Sequence, residues 1–195
     1  FLFHVKIILH YLIYLIMKII HISDLHIRES NTDECYYAFE QFLKSVIDIK
    51  NNLQDDEKLV IVISGDIFHS RTRLTPNEFR MGSIILETLD DICPTIIIPG
   101  YHDVNPRGEY DLISPLLEEL ERRGAYKKNL HYFPYGGVKI IDGITFTMKG
   151  LLHKGSGEDG GSGCSGGEDG GENGGENILV AYEILAGAAM KNNES

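Results

Sequence analysis

The chain has 195 residues, of which 43% are hydrophobic and 24% are charged, a composition typical of a globular protein with one substantial core. Global disorder and fibrous repeats are therefore excluded, and the formal net charge of -11 argues against a polycation that wraps DNA irrespective of its sequence. Three cysteines without a C-x-x-C pair exclude a disulfide framework and a thiolate zinc site, so we expect a reducing compartment.

The first part of the chain, residues 1–16, is apolar but is interrupted by His4, Lys6 and His10. A membrane span needs about 20 predominantly apolar residues, and a signal peptide needs a basic start and a small-residue cleavage site. MKIIHISDLHI, which begins at Met17, opens like a natural first strand. We therefore expect residues 1–16 to be an upstream extension outside the native domain rather than a membrane anchor.

From Met17 onward, short β-branched runs alternate with segments of helical periodicity, which is the pattern of βαβ units and a largely parallel sheet. The runs KIIHIS, LVIVIS and TIIIP have almost no polar alternation, as expected of strands that are buried on both faces. Apolar side chains at helical spacing predict a first helix around residues 36–47. Residues 75–78, TPNE, form a capping box that predicts the start of a second helix, and a third is predicted at 114–124.

After Gly124 the periodicity changes to two, and VKII, Asp142-Gly143 and ITFTM together predict a hairpin in a second, antiparallel layer. Residues 17–154 are thus the predicted core. Residues 155–177 are rich in Gly, Glu and Asp and predict a disordered insertion. Residues 178–195 return to apolar composition and predict a core strand followed by a truncated end.

Each of the three predicted buried strands runs into an Asp and a His. They are Asp24 with His26, Asp66 with His69, and His102 with Asp103. Because the carboxyl ends of neighbouring parallel strands share one crevice, these three motifs should converge. Each motif alone could be a surface turn or an ion pair. Together they favour a metal site or an acid–base site, since Asp and His are ligands for hard and borderline cations.

These blocks resemble those of the calcineurin-like metallophosphoesterase family, D-x-H, G-D-x-x-(D/H) and G-N-H-D, in that order. Within the family the chain is most similar to the SbcD-type nuclease subunit of the DNA double-strand-break repair complex. HISDLHIR, SGDIFHSRTRLTP, IIIPGYHD and DLISPLLEEL stand where that subfamily places its equivalents. The resemblance implies an α/β sandwich of two facing mixed β-sheets flanked by helices, here C-terminally incomplete.

The resemblance also implies a set of metal ligands. Asp24 and His26 would bind one metal ion, Asp66 would bridge two, and members of the family typically use manganese. Two cations roughly 3.5–4 Å apart would activate a water molecule and neutralise charge developing on the phosphate.

Three further residues receive catalytic roles from the resemblance. His102 would assist the leaving oxygen, Asp103 would orient His102, and His69 would face the phosphate. Arg71 and Arg73 follow the second motif and could hold a nucleic-acid phosphate, although a solvated loop explains them equally well.

The sequence departs from the family at several ligand positions. Tyr101 stands in place of the amide ligand, and a phenol, with a reference pKa of about 10, is a poor neutral ligand. A later single His and a Gly-His-x-His are not evident, since Tyr182 or Glu183 occupies the first of these places and His153 lies in a different context. We therefore expect this chain to bind at most one metal ion, and weakly.

The leading hypothesis is a DNA-end nuclease subunit of the SbcD type, intracellular and soluble, whose family partner is an ABC-type, SMC-like ATPase. A homodimer is a further option, and no membrane partner is expected. Two alternatives stay open: a phosphoesterase for small substrates, and a catalytically dead scaffold that keeps the fold. Because the second layer is half-built, we also predict marginal stability for this chain.

Overall fold

The computed structural model describes residues 17–125, 128–152 and 177–181. The predicted extension at 1–16, the glycine-rich insertion up to residue 176 and the segment after residue 181 lie outside these residues, so the statements about them stay predictions. Within the described ranges, no helix combines the length and the apolar character needed to cross a membrane.

Four parallel strands form the first sheet, in the order β1-β2-β3-β4. They are β1 (Met17–Ile22), β2 (Lys58–Ser64), β3 (Thr95–Ile98) and β4 (Leu130–Tyr132). The first three are the runs that the sequence predicts, but β1 is not buried on both faces as expected, since only Met17 of its six residues is buried. Strand β4 has only three residues, which is too short to give a periodic signal, and the sequence reasoning missed it.

Helices connect successive strands of this sheet. They are α1 (Thr32–Asn51), α2 (Pro76–Ile92) and α3 (Ser114–Arg122), with a short 3-10 helix before α1 (Glu29–Asn31). The predicted capping box of α2 is present: the Thr75 side chain accepts a hydrogen bond from the Glu78 N–H, and the Glu78 carboxylate accepts one from the Thr75 N–H. The chain leaves α3 through Gly124, whose φ of 70° is a left-handed conformation that favours glycine.

The side chains of β2 explain why its sequence is apolar without alternation. Ile61 and Ile63 pack with the helices on one face of the sheet. Val60 and Val62 pack on the other face against the second sheet, where Phe146 is fully buried. Both faces of the strand therefore lie in a core, as the sequence predicts.

The second sheet contains β5 (Gly137–Ile141), β6 (Ile144–Lys149) and β7 (Asn177–Ala181). Strands β5 and β6 form the predicted hairpin, and Asp142 and Gly143 at its turn both have positive φ. Strand β7 pairs with β6 in parallel, so this sheet is mixed rather than purely antiparallel. The predicted fold class, an α/β arrangement of two facing sheets flanked by helices, is confirmed, but the described strands of the first sheet are all parallel rather than mixed as expected.

Candidate metal centre

Two of the three motifs lie in loops that directly follow β1 and β2, and backbone hydrogen bonds hold these loops side by side. The N–H of Asp24 donates to the Gly65 carbonyl at 3.1 Å, and the N–H of His26 donates to the Asp66 carbonyl at 3.0 Å. The N–H of Ile27 likewise donates to the Ile67 carbonyl at 2.9 Å. The parallel alignment of the two strands thus continues into the loops and fixes the relative positions of the two motifs.

The three residues of these loops that we expect to bind metal all have left-handed backbone. The φ angles are 58° at Asp24, 45° at His26 and 54° at Asp66. This region is unfavourable for residues with a β-carbon, and such conformations cluster at functional sites. The strain coincides with the residues that the sequence singles out on chemical grounds.

The third loop, after β3, closes on the same point. The N–H of His102 donates to Oδ1 of Asp66 at 2.8 Å. Gly100 makes this approach feasible, because a β-carbon at that position would overlap with the backbone nitrogen and the Oδ1 atom of Asp66.

The Asp103 carboxylate joins the loops that follow β2 and β3. It is fully buried, and its carboxylate accepts hydrogen bonds from the N–H groups of Ile67 at 3.2 Å, Phe68 at 2.9 Å and Gly100 at 2.9 Å. Burial raises the pKa of Asp103 to about 7, although these three hydrogen bonds favour the charged form. The expectation that Asp103 orients the His102 ring differs from this geometry, because His102 Nδ1 bonds instead to the His69 carbonyl oxygen at 2.7 Å.

Asp24, His26 and Asp66 form a compact ligand group. One ligand atom from each lies within 4.8 Å of the others. His26 Nε2 is 3.6 Å from a carboxylate oxygen of Asp24 and 3.6 Å from one of Asp66. Two carboxylates and one imidazole suit a divalent cation, so this donor set fits a single metal ion of the kind that the sequence predicts.

His69 and His102 lie next to His26. The ring centroids of His69 and His102 are 5.2 Å apart and nearly parallel, and both rings lie within 5.4 Å of the His26 ring. Partial desolvation, followed by the positive charge that the two neighbouring histidines can carry, lowers the pKa of His69. The structure thus brings together the Asp and His residues of all three motifs.

Tyr101 lies at the edge of this group, with its ring centroid 6.2 Å from that of His102. Its side chain is 54% exposed, and the guanidinium of Arg71 sits over its ring at 3.7 Å from the centroid. Arg71 Nε also donates to the Val104 carbonyl at 3.2 Å. In this position the phenol ring stacks on an arginine side chain.

The two arginines predicted to contact phosphate have different positions. Arg71 lines a cleft of about 220 Å³ together with Tyr101 and Arg107, whereas Arg73 is exposed in the loop before α2. Sequence reasoning missed Arg107, because three residues separate it from Asp103, the last residue of the third motif, and no pattern connects the two. His153, Tyr182 and Glu183 lie outside the described residues, so the absence of the late histidines stays a prediction.

Comparisons with known proteins identify the relatives of this arrangement. The family model described as calcineurin-like phosphoesterase matches residues 17–164. The uncharacterized protein R555 of Acanthamoeba polyphaga mimivirus is 33% identical over 138 residues, which is 67% of this chain and 10% of that protein. The DNA double-strand break repair protein Mre11 of Saccharolobus solfataricus is 33% identical over 110 residues, which is 54% of this chain and 27% of that protein.

A third relative is the putative phosphoesterase 244L of Invertebrate iridescent virus 6, which is 29% identical over 136 residues. That match covers 67% of this chain and 42% of the viral protein. The chain therefore spans less than half of the length of each of these relatives.

Proposed function

Because the chain belongs to the calcineurin-like phosphoesterase family, we propose that it is a metal-dependent phosphodiester hydrolase. The observation that carries this proposal is the convergence of Asp24, His26 and Asp66, each with left-handed backbone, on one group of ligand atoms within 4.8 Å. Strained backbone at three ligand positions has a physical reason if the loops are built to hold a cation.

We assign metal binding and proton transfer to different residues of the centre. Asp24, His26 and Asp66 would hold one divalent cation, which when bound supplies positive charge that polarises the phosphoryl group. Asp66 anchors the set, since its side chain is 4% exposed and the N–H of His102 fixes its Oδ1 atom. Nδ1 of His102 donates a hydrogen bond to the His69 carbonyl oxygen, so when the ring is protonated its Nε2 atom carries the second proton, which would pass to the leaving oxygen.

We further propose that the substrate is DNA, in the manner of an SbcD-type nuclease acting on DNA ends with manganese. The match to a protein named for DNA double-strand break repair and the histidine in the second motif, His69, support this proposal. An SMC-like ATPase partner and a homodimer belong to the same proposal.

A second candidate function is that of a non-catalytic scaffold, and Tyr101 favours it. The family places an amide ligand for a second cation at this position, whereas here the ring is exposed and stacked on Arg71. Without that ligand a two-cation mechanism is incomplete.

Calorimetric titration of manganese into the full chain would test these proposals. Tyr101→Asn and Asp24→Asn variants would be titrated beside it. All three proteins would then be assayed on bis-(p-nitrophenyl) phosphate and on linear DNA. We expect one manganese site in the unchanged chain, its loss in Asp24→Asn, and a gain of activity or of a second site in Tyr101→Asn.

The outcomes separate the candidates. Turnover of DNA but not of the small diester supports the nuclease, and turnover of the small diester alone supports a small-substrate phosphoesterase. If the unchanged chain binds manganese but none of the three proteins turns over either substrate, the result supports the scaffold. If no protein binds manganese at millimolar concentration, the metal-dependent hydrolase proposal is wrong.

A further inference from the structure

His26 occupies a position between two different groups of side chains. Its Nε2 atom faces the carboxylates of Asp24 and Asp66, at 3.6 Å from each. Its Nδ1 atom lies 3.4 Å from Nδ1 of His69. The two nitrogens of one imidazole ring thus face two carboxylates on one side and the His69 ring on the other.

The second of these groups has the dimensions of a tetrahedral metal site. Two imidazole nitrogens that each lie 2.0–2.1 Å from one zinc ion, at the tetrahedral angle, are about 3.3–3.4 Å apart. The separation between the Nδ1 atoms of His26 and His69 is 3.4 Å. His102 completes a group of three in which one ligand nitrogen from each ring lies within 4.8 Å of the others.

The hydrogen bond of His102 presents the ring as a ligand. A carbonyl oxygen can only accept, so the bond of 2.7 Å to the His69 carbonyl places the proton of a neutral His102 on Nδ1 and the lone pair on Nε2. Metal-binding histidines commonly have such a partner on the other ring nitrogen, where it fixes the tautomer and the ring orientation.

The chemistry of this group differs from that of Asp24, His26 and Asp66. It offers three imidazoles and no carboxylate, which suits borderline cations such as zinc, whereas oxygen-rich sites suit magnesium, calcium and manganese. Three protein ligands leave a fourth tetrahedral position open, as in catalytic zinc sites.

We propose that His26, His69 and His102 form a second metal site, specific for a borderline divalent cation of the zinc type, that shares His26 with the Asp24/His26/Asp66 centre. This goes beyond the proposed hydrolase function. A neutral imidazole has one lone pair, so His26 serves one cation at a time and the two sites exclude each other. Zinc at this site also occupies the two histidines proposed for catalysis, and it therefore inhibits the hydrolase.

Separate titrations of zinc and manganese into the full chain would test the proposal, with His69→Ala, His102→Ala and Asp24→Asn as variants. His131→Ala is the matched control, since His131 is a partly buried histidine on β4 that belongs to neither group of ligand candidates. Substitution of a ligand should weaken binding at least as much as the roughly 10–100-fold that accompanies loss of an outer-shell partner.

We expect the two cations to respond to different residues. Zinc affinity should fall at least about tenfold in His69→Ala and in His102→Ala and stay within about twofold in Asp24→Asn and His131→Ala. Manganese affinity should fall in Asp24→Asn and stay nearly unchanged in His69→Ala and His102→Ala. Cobalt, as a spectroscopic substitute for zinc, should give the intense visible absorption of tetrahedral coordination in the unchanged chain and lose it in His69→Ala.

The proposal is overturned if zinc affinity is unchanged in both histidine variants, or if Asp24→Asn weakens zinc as much as they do. Circular dichroism of each variant confirms that it is folded before binding is compared. Zinc affinity in the histidine variants tests this proposal, whereas manganese affinity in Asp24→Asn tests the metal centre of the proposed hydrolase. Failure of one proposal can therefore be distinguished from failure of the other. Competition gives a further check, since zinc at saturation should abolish manganese binding.

Discussion

The two sheets differ in how completely they are covered, and the metal centre rests on the better covered one. Every residue of β2 except Lys58 is buried, between the helices on one side and the second sheet on the other. In β5, by contrast, only Ile141 is buried. The loop that carries Asp66 and His69 therefore extends from a strand that is packed on both faces, and a site that must hold its geometry benefits from such rigid support.

The largest expected effect comes from the interface that joins the two sheets. Phe146 on β6 is fully buried there, so Phe146→Ala should lower the free energy of unfolding by about 3–5 kcal/mol through lost apolar contact and a cavity. Urea denaturation followed by circular dichroism measures the loss. A change below about 1 kcal/mol would mean that the second sheet does not stabilise the first.

Asp103→Ala should have the next largest effect, because it removes a buried acceptor from three backbone N–H groups. Unsatisfied buried donors cost about 1–3 kcal/mol each. Since the substitution also removes the cost of burying a charged carboxylate, we expect a loss at the lower end of that sum, about 3 kcal/mol, together with loss of manganese binding. Asp142→Asn, at the exposed hairpin turn, is the control and should change neither property. Normal manganese affinity in a folded Asp103→Ala protein would show that the loops keep their positions without this carboxylate.

Gly100→Ala tests the close approach of the third loop to the second. The added methyl group would overlap with Asp66, and overpacking of this kind costs about 1–3 kcal/mol. Because Asp66 is a ligand candidate, manganese affinity should fall by roughly tenfold or more, comparable to the loss of an outer-shell partner. Unchanged affinity by calorimetry would mean that the loop moves without displacing the carboxylate.

The smallest expected effect concerns the outer face of the second sheet. Val138 and Ile140 are 60% and 64% exposed, and threonine keeps the β-branched shape that strands favour. The double change to threonine should alter the free energy of unfolding by less than about 0.5 kcal/mol and reduce self-association in sedimentation experiments. A larger loss would show that other parts of the chain cover this face, and would count against the predicted marginal stability.

The parts of the fold that could be predicted are those with a periodic pattern of apolar residues or a turn motif in the local sequence. Strands β1 to β3, the three helices and the hairpin at Asp142-Gly143 each have a short-range signal, and the strand-end rule then brings the three motifs together. The direction of β7 could not be predicted, because pairing between distant strands depends on contacts rather than on local pattern.

The candidate site was predictable in its residue types but not in its contacts. The sequence identifies Asp24, His26 and Asp66, yet it carries no information on which ring nitrogen of His26 faces which group. It assigns Asp103 to His102, whereas the structure shows Asp103 bonded to backbone N–H groups. Side-chain rotamers decide both points, and they depend on packing between loops that are far apart in the sequence.

The left-handed backbone of the ligand loops has a thermodynamic consequence for any work on this protein. Three residues in left-handed backbone cost free energy in the folded chain. If the loops hold a cation as proposed, its binding to the folded state alone would offset that cost by mass action. At a hundred times the dissociation constant this linkage amounts to about 2.7 kcal/mol. If the cation binds as proposed, melting temperatures of variants are comparable only at a fixed free-cation concentration, and a chelator should lower the melting temperature of this chain.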